Sequence, residues 1–250
     1  MRRPAMTAPA SADRGFTLIE MAVAVFIITL LLGSILVPLA TQANQRQISD
    51  TQRMLDEIKE ALTGFAIANG YLPCPAVSAT NGLEDRAGGG TCNKRTGFIP
   101  WATLGVSKLD AWGHIFHYSV TPAFASSSPA PGAPFNLTTA ADITITTRDG
   151  AGALVNLTTV GSIPAVVLSH GRNGYGSIDN FGVAHALPTT GWPSNYPDEF
   201  TNTTVGGALF VSRVGQEAGS PGTGGEFDDI VTWLSPAILF NRMVAAGKLP

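Results

Sequence analysis

From Met21 to Ala40 the chain runs twenty residues without a charge, MAVAVFIITLLLGSILVPLA. As a helix rising about 1.5 Å per residue, that run spans the roughly 30 Å of a bilayer's hydrocarbon. Whatever the rest of the chain does, this segment is predicted to be an anchor helix. Between Gly15 and Gln45 the only ionisable side chain is Glu20, just ahead of the longest apolar run. A carboxylate in lipid costs on the order of 3 kcal/mol by insertion scales, so its presence there needs a reason.

A secretory signal peptide would have an apolar region of about 7–15 residues closed by a small-residue cleavage site. This run is longer and continues into a polar, helix-favouring stretch. A plain signal anchor fits better, because Arg2, Arg3 and Arg14 on the short N-terminal side keep that side cytoplasmic under the positive-inside rule. The body of the chain then lies outside. A plain anchor, however, does not explain Glu20.

The residues Arg14-Gly15-Phe16-Thr17-Leu18-Ile19-Glu20-Met21 resemble the processing motif of type IV prepilins and type II secretion pseudopilins. The resemblance implies that a prepilin peptidase cuts between Gly15 and Phe16 on the cytoplasmic side and methylates the new amine of Phe16. Glu20 becomes the fifth mature residue. The implied role has a physical logic: the ammonium on Phe16 of one subunit compensates the Glu20 carboxylate of its neighbour, where either alone would be a costly buried charge. Glycine ahead of the cut suits close approach by a peptidase. The family's fold is α+β, with a long N-terminal spine helix packed on a C-terminal antiparallel β-sheet domain. Pro38, near the end of the apolar run, is expected to bend that helix.

Beyond the apolar run, Ile48, Leu55, Ile58, Leu62 and Phe65 recur at helical spacing. Asp50, Arg53, Asp56, Glu57, Lys59 and Glu60 take the remaining faces, with Arg53 and Glu57 placed for an i,i+4 ion pair. Gly70, followed by Pro73 and Pro75, supplies the stop. The sequence thus predicts a helix from about Thr17 to Asn69. It divides into a cytoplasmic leader (1–15), a membrane and assembly segment (16–40), an amphipathic segment (41–70) and an exported globular domain (71–250).

Cys74 and Cys92 both fall in that exported part, eighteen residues apart. An oxidising compartment favours a disulfide between them, worth about 3 kcal/mol in the chain-entropy model, over free thiols or a metal pair. A turn at Asp110-Ala111-Trp112-Gly113 leads into a predicted strand His114–Val120. The segments LPCPA, PWATLG, DAWG and FDDIVTWLS resemble a subgroup of pseudopilin-like proteins. Residues 121–136, crowded with proline, alanine and serine, read as a surface connection. Further strands are expected at 143–148, 153–159, 165–169, 208–212 and 230–234, with a closing helix at 237–246.

Few residues point to chemistry. His114 and His117, three apart in a predicted strand, face opposite ways and make poor joint metal ligands. Ser169-His170 and His185 lack a nucleophile elbow. Glu217, Glu226, Asp228 and Asp229 offer oxygens of the kind calcium uses, but without EF-hand spacing they read as a solvated acidic loop, and no metal site or cofactor is assigned. The formal net charge is −3, with +2 on the first fifteen residues and −5 on the remainder, so nucleic acid is not an expected partner.

The resemblance therefore implies a non-enzymatic structural subunit of a pseudopilus or type IV pilus. Its partners would be prepilin peptidase, other pilin or pseudopilin subunits and the bacterial inner membrane. The 235-residue mature length suggests a minor subunit for protein secretion or pilus priming. The alternative is a membrane-tethered periplasmic binding protein or enzyme that never polymerises, for which Glu20 and the Gly15-Phe16 junction would be superfluous.

Overall fold

The structure, a computed structural model, describes residues 15–127, 135–203, 206–219 and 222–249; within these, the side chains of residues 34–40 are not described. The leader up to Arg14 thus lies outside the described residues, and Pro38, where a bend was expected, falls within α1 among the residues whose side chains are not described. The chain divides into two units between Arg46 and Gln47.

In the first unit, helix α1 (Leu18–Asn69) begins at Leu18. Every side chain from Gly15 to Gly33 is exposed, including Phe26, Leu30 and Leu31. Among the described residues, no helix is long and apolar enough to cross a membrane. Residues 34–40, which complete the apolar run in the sequence, are not among the side chains described.

In the second unit, the rest of α1 buries one face. Leu55, Ile58, Leu62 and Ala66 are almost wholly buried, and Thr51 and Thr63 flank them. Each large aliphatic side chain so buried stabilises the domain by about 1.5–3 kcal/mol. The exposed face pairs differently from the sequence expectation: Arg53 lies 3.7 Å from Asp50 and Lys59 lies 2.8 Å from Asp56, one turn back along the helix. Gly70 ends the helix as expected, at φ 87°, with its N–H donating to the Ala66 carbonyl.

The chain then builds β1 (Thr96–Phe98), α2 (Trp101–Leu104), β2 (His117–Val120), α3 (Pro122–Ala125), β3 (Thr144–Arg148), β4 (Leu154–Asn156) and β5 (Ala165–Ser169). After these come α4 (Pro197–Thr203), β6 (Leu209–Val211), β7 (Ile230–Trp233) and α5 (Pro236–Ala245). The principal sheet is antiparallel with strand order β1-β2-β5-β7. Tyr118 stands opposite Val167, and Val167 opposite Thr232. The fold is α+β, an N-terminal helix followed by an antiparallel sheet domain, in keeping with a pilin-like arrangement.

Strand β5, AVVLS, is buried at all five positions because the sheet is covered on both faces. Ala165 and Val167 join Tyr118, Val120 and the α1 residues in one core, while Val166 and Leu168 join Ile143, Ile145 and Phe210 in another. That second core underlies a three-stranded sheet, β4-β3-β6. Here the structure adds to the antiparallel expectation, since β3 and β6 run parallel. Tight hairpins cannot join parallel strands, and α4 lies in the long connection.

Three further expectations change. The strand foreseen from His114 begins at His117, because His114 and Ile115 bridge instead to Asp179 and Leu109. Strand β4 is shorter than 153–159 and fully exposed. The supposed surface connection 121–136 carries α3 and sends Phe124, Ala125 and Phe135 into the main core, where the two phenyl rings lie 4.8 Å apart. Residues 128–134 of that connection lie outside the described residues.

Cys74 and Cys92 are joined in a disulfide, their Cα atoms 5.3 Å apart. The loop they close is organised by Arg86, whose guanidinium donates to the Leu72, Gly90 and Ala125 carbonyls, pairs with Glu84 and stacks over Tyr71. The glycine-rich loop is thereby tied to the segment that leaves α1.

Candidate functional site

The four histidines meet in two pairs. His114 and His185 lie 5.5 Å apart ring to ring, and His117 and His170 lie 5.7 Å apart. His114 and His117 thus face different neighbours, although His114 lies outside the strand that was expected to separate them. His117 hydrogen-bonds Thr96 Oγ1, and burial, reinforced by the nearby His170, pushes its pKa down to about 3. The Ser169 hydroxyl donates to Asp110 and is not directed at His170, so no nucleophile and base are assembled there.

Two neighbouring acids on α4 have opposite surroundings. Asp198, almost fully buried, accepts two hydrogen bonds from Arg148, each at 2.7 Å, and one from Arg213 at 2.6 Å. One negative charge is held by two cations. Glu199, with none of its surface exposed, turns instead toward Asp228 and Asp229, and one oxygen from each of the three lies within 4.8 Å of the others. The loop expected to be solvated is therefore partly folded inward. Glu217 is exposed and Glu226 and Asp228 are half-buried, but Asp229 is buried.

Some of these oxygens are satisfied. Glu199 Oε1 accepts from Asn173 Nδ2 at 2.7 Å and from the Asp228 amide at 3.1 Å. Asp228 Oδ2 accepts from the Asn173 amide, and Asp229 Oδ2 from Asn202 Nδ2. Glu199 Oε2, Asp228 Oδ1 and Asp229 Oδ1 are buried with no hydrogen-bond partner, as is His170 Nδ1, 3.6 Å from Asp229. Burial, with Asp229 beside it, pushes the Glu199 pKa up to about 8, and burial pushes that of Asp228 up to about 7. The close approach depends on Gly171, at φ 61°, where a side chain would begin 2.3 Å from the Asp228 carbonyl oxygen. Sequence reasoning missed Glu199.

At the start of the described residues, Gly15 and Phe16 are exposed and lead directly into α1. Glu20 Oε2 accepts from the Thr17 amide at 2.9 Å and from the Thr17 hydroxyl at 2.8 Å, while the Glu20 amide donates to Thr17 Oγ1 at 3.3 Å. This is a capping box: each residue satisfies an amide that the helix start leaves unpaired. The signal, Thr-x-x-Glu, is in the sequence, and the reading of Glu20 as a partner for a neighbouring subunit passed over it.

Residues 10–36 match the family model for the prokaryotic N-terminal methylation motif. The chain carries the prepilin-type motif. The match covers Gly15, Phe16 and Glu20 and implies processing by prepilin peptidase, pilin-type assembly and a membrane-anchored N-terminus. Proteins bearing the prepilin motif are structural rather than catalytic. No curated protein and no solved structure matches the chain.

Proposed function

We propose that the chain is a structural subunit of a pseudopilus or type IV pilus, cut between Gly15 and Phe16 and N-methylated on Phe16. It spans the bacterial inner membrane once, leader in the cytoplasm and residues 71–250 in the periplasm, before passing into a fibre. Within the fibre, Glu20 compensates the ammonium of Phe16 on an adjoining subunit when both leave water. Its finer role in this reading is that of a minor subunit that primes or caps a fibre for secretion or for a pilus.

One observation supports this reading most strongly: the large apolar side chains within the motif match, from Phe16 into α1 as far as Leu32, are exposed. An exposed surface of that extent calls for lipid or other subunits to cover it. The capping box is compatible with the role, because it holds the Glu20 carboxylate at the helix start, one turn from the new amine.

The test is an assembly assay on Glu20→Ala in cells with an intact export and assembly system. The expected outcome is a processed, folded subunit that remains in the membrane and is at least about tenfold depleted from sheared fibres, with Glu20→Asp less affected. Normal incorporation of Glu20→Ala would overturn the assembly role.

A further inference from the structure

The long connection between β5 and α4, residues 170–196, contains no helix or strand of its own. Connections of that length inside a compact domain are uncommon and usually functional. Between Asn173 and Pro197 its only carboxylate is Asp179 and its only basic side chain is His185. It carries aromatic rings at the surface instead. Tyr175 lies 5.4 Å from Tyr196 and 6.0 Å from Trp192, and Trp192 lies 5.8 Å from Tyr196, ring centre to ring centre. All three are only half-buried, and none belongs to either hydrophobic core. Their hydroxyls and the indole N–H make no hydrogen bond among the described residues. Rings fixed against one another in this way give rigid contact area at little cost in entropy.

Tyr196 also lines a cleft of about 420 Å³, a volume typical of small-ligand sites. Ser194, Asn195 and Glu226 line the same cleft, and their side chains make no hydrogen bond among the described residues. Its far wall packs closely on the Tyr196 segment, since a side chain at Gly225, φ 74°, would collide with the Asn195 carbonyl oxygen. Burial, and then the charge of Glu226, raises the pKa of Tyr175, which sets that carboxylate beside the rings. An aromatic face next to an unpaired amide, hydroxyl and carboxylate suits a ligand with an apolar C–H face and a rim of hydroxyls. We propose that this cleft binds a neutral hexopyranose oligosaccharide, one ring stacking on Tyr196 while its hydroxyls bond Ser194, Asn195 and Glu226. Tyr175 and Trp192 brace Tyr196. An apolar peptide in the same place would leave the three polar groups unpaired. Glu226, with Asp228 close by, disfavours an acidic glycan.

The full-length chain in lauryldimethylamine oxide, a detergent without a sugar headgroup, is titrated calorimetrically with maltotriose, cellotriose and chitotriose. Trigalacturonic acid serves as the acidic comparison. At least one neutral trisaccharide should bind saturably, with Kd between roughly 10⁻⁵ and 10⁻³ M, and the acidic one at least about tenfold more weakly. Absence of saturable binding by all three neutral sugars would overturn the site and leave the rings to a protein partner. Binding of trigalacturonic acid as tight as that of the best neutral sugar would overturn the neutral assignment.

Tyr196→Ala should weaken that binding at least about tenfold, and Asn195→Ala at least about threefold. The Tm of Asn195→Ala should not move, because its amide holds nothing in the fold. Glu226→Gln should narrow the gap between neutral and acidic sugars by about threefold or more. Unchanged affinity in Tyr196→Ala and Asn195→Ala would overturn the placement in this cleft, and an unchanged gap in Glu226→Gln would overturn the part given to that carboxylate. The Asn195 and Glu226 variants read the site even if Tyr196→Ala fails to fold, and none of these outcomes depends on whether the chain assembles into a fibre.

Discussion

Helix α1 contains two apolar stretches with opposite fates. From Leu18 to Leu32 the apolar side chains are exposed in every direction around the helix, whereas from Leu55 to Ala66 they form a single face that is nearly inaccessible. Both stretches are helical, so propensity does not separate them. The upper one has charged residues on its other faces and therefore only one stripe to cover, which a sheet does. The lower one is apolar all round, a pattern that belongs inside lipid or a bundle of like helices. What the chain covers itself governs folding, and what it leaves uncovered governs anchoring and assembly.

This contrast makes quantitative expectations. Leu62→Ala should destabilise the domain by about 2–5 kcal/mol in denaturant unfolding followed by Trp fluorescence. Leu30→Ala should shift the same transition by less than about 0.5 kcal/mol while reducing fibre incorporation or membrane retention. Comparable losses of domain stability from both substitutions would break the distinction.

The disulfide belongs to the covered part alone. A Cys74→Ser, Cys92→Ser double variant should lose about 3 kcal/mol of domain stability without altering the membrane-bound fraction. Separation of membrane and soluble fractions, alongside the unfolding curve, checks both halves of that expectation.

The pH response should be confined to the same region. The unfolded chain protonates His117 as the pH falls through 6.5, but in the folded domain that ring stays neutral down to about 3. Its contribution to stability is therefore complete above pH 6.5 and lost progressively between 6.5 and 3, at up to about 1.4 kcal/mol per pH unit. Comparing the parent with His117→Gln at pH 7 and pH 5 should show a shallower loss in the variant. Equal slopes would exclude His117 as the origin.

The smallest effect is expected at the exposed ion pair between Glu60 on α1 and Arg242 on α5. Glu60→Gln should change the denaturation midpoint little, and what change there is should fade with added salt. A large, salt-resistant loss would show that α5 is held by charge rather than by the burial of Leu239 and Met243.

Local patterns carried much of this organisation. The period of Ile48 to Phe65 placed the covered helix face, Gly70 its end, and the β-branched, apolar run that opens 165–169 a strand. The β3–β6 pair was not legible because its strands are more than sixty residues apart and parallel pairing leaves no hairpin signature. Phe124 and Phe135 were hidden in a stretch whose composition resembles a loop.

The acidic cluster shows the same limit. Asp228 and Asp229 were visible as possible oxygen donors, but Glu199 joins them only through tertiary packing. Pro197-Asp198-Glu199 does carry the mark of a helix start, proline followed by acids. Nothing in it distinguishes the acid that meets two arginines from the one that meets two aspartates.

The most direct measurement is the mass of the intact protein and of its N-terminal peptide, isolated from cells with active prepilin peptidase. A chain beginning at Phe16, heavier by one methyl group at its amine, is the expected result. Recovery of a mature chain that still begins at Met1, or that is cut at any bond other than Gly15-Phe16, would contradict the assignment of this helix to prepilin-type assembly.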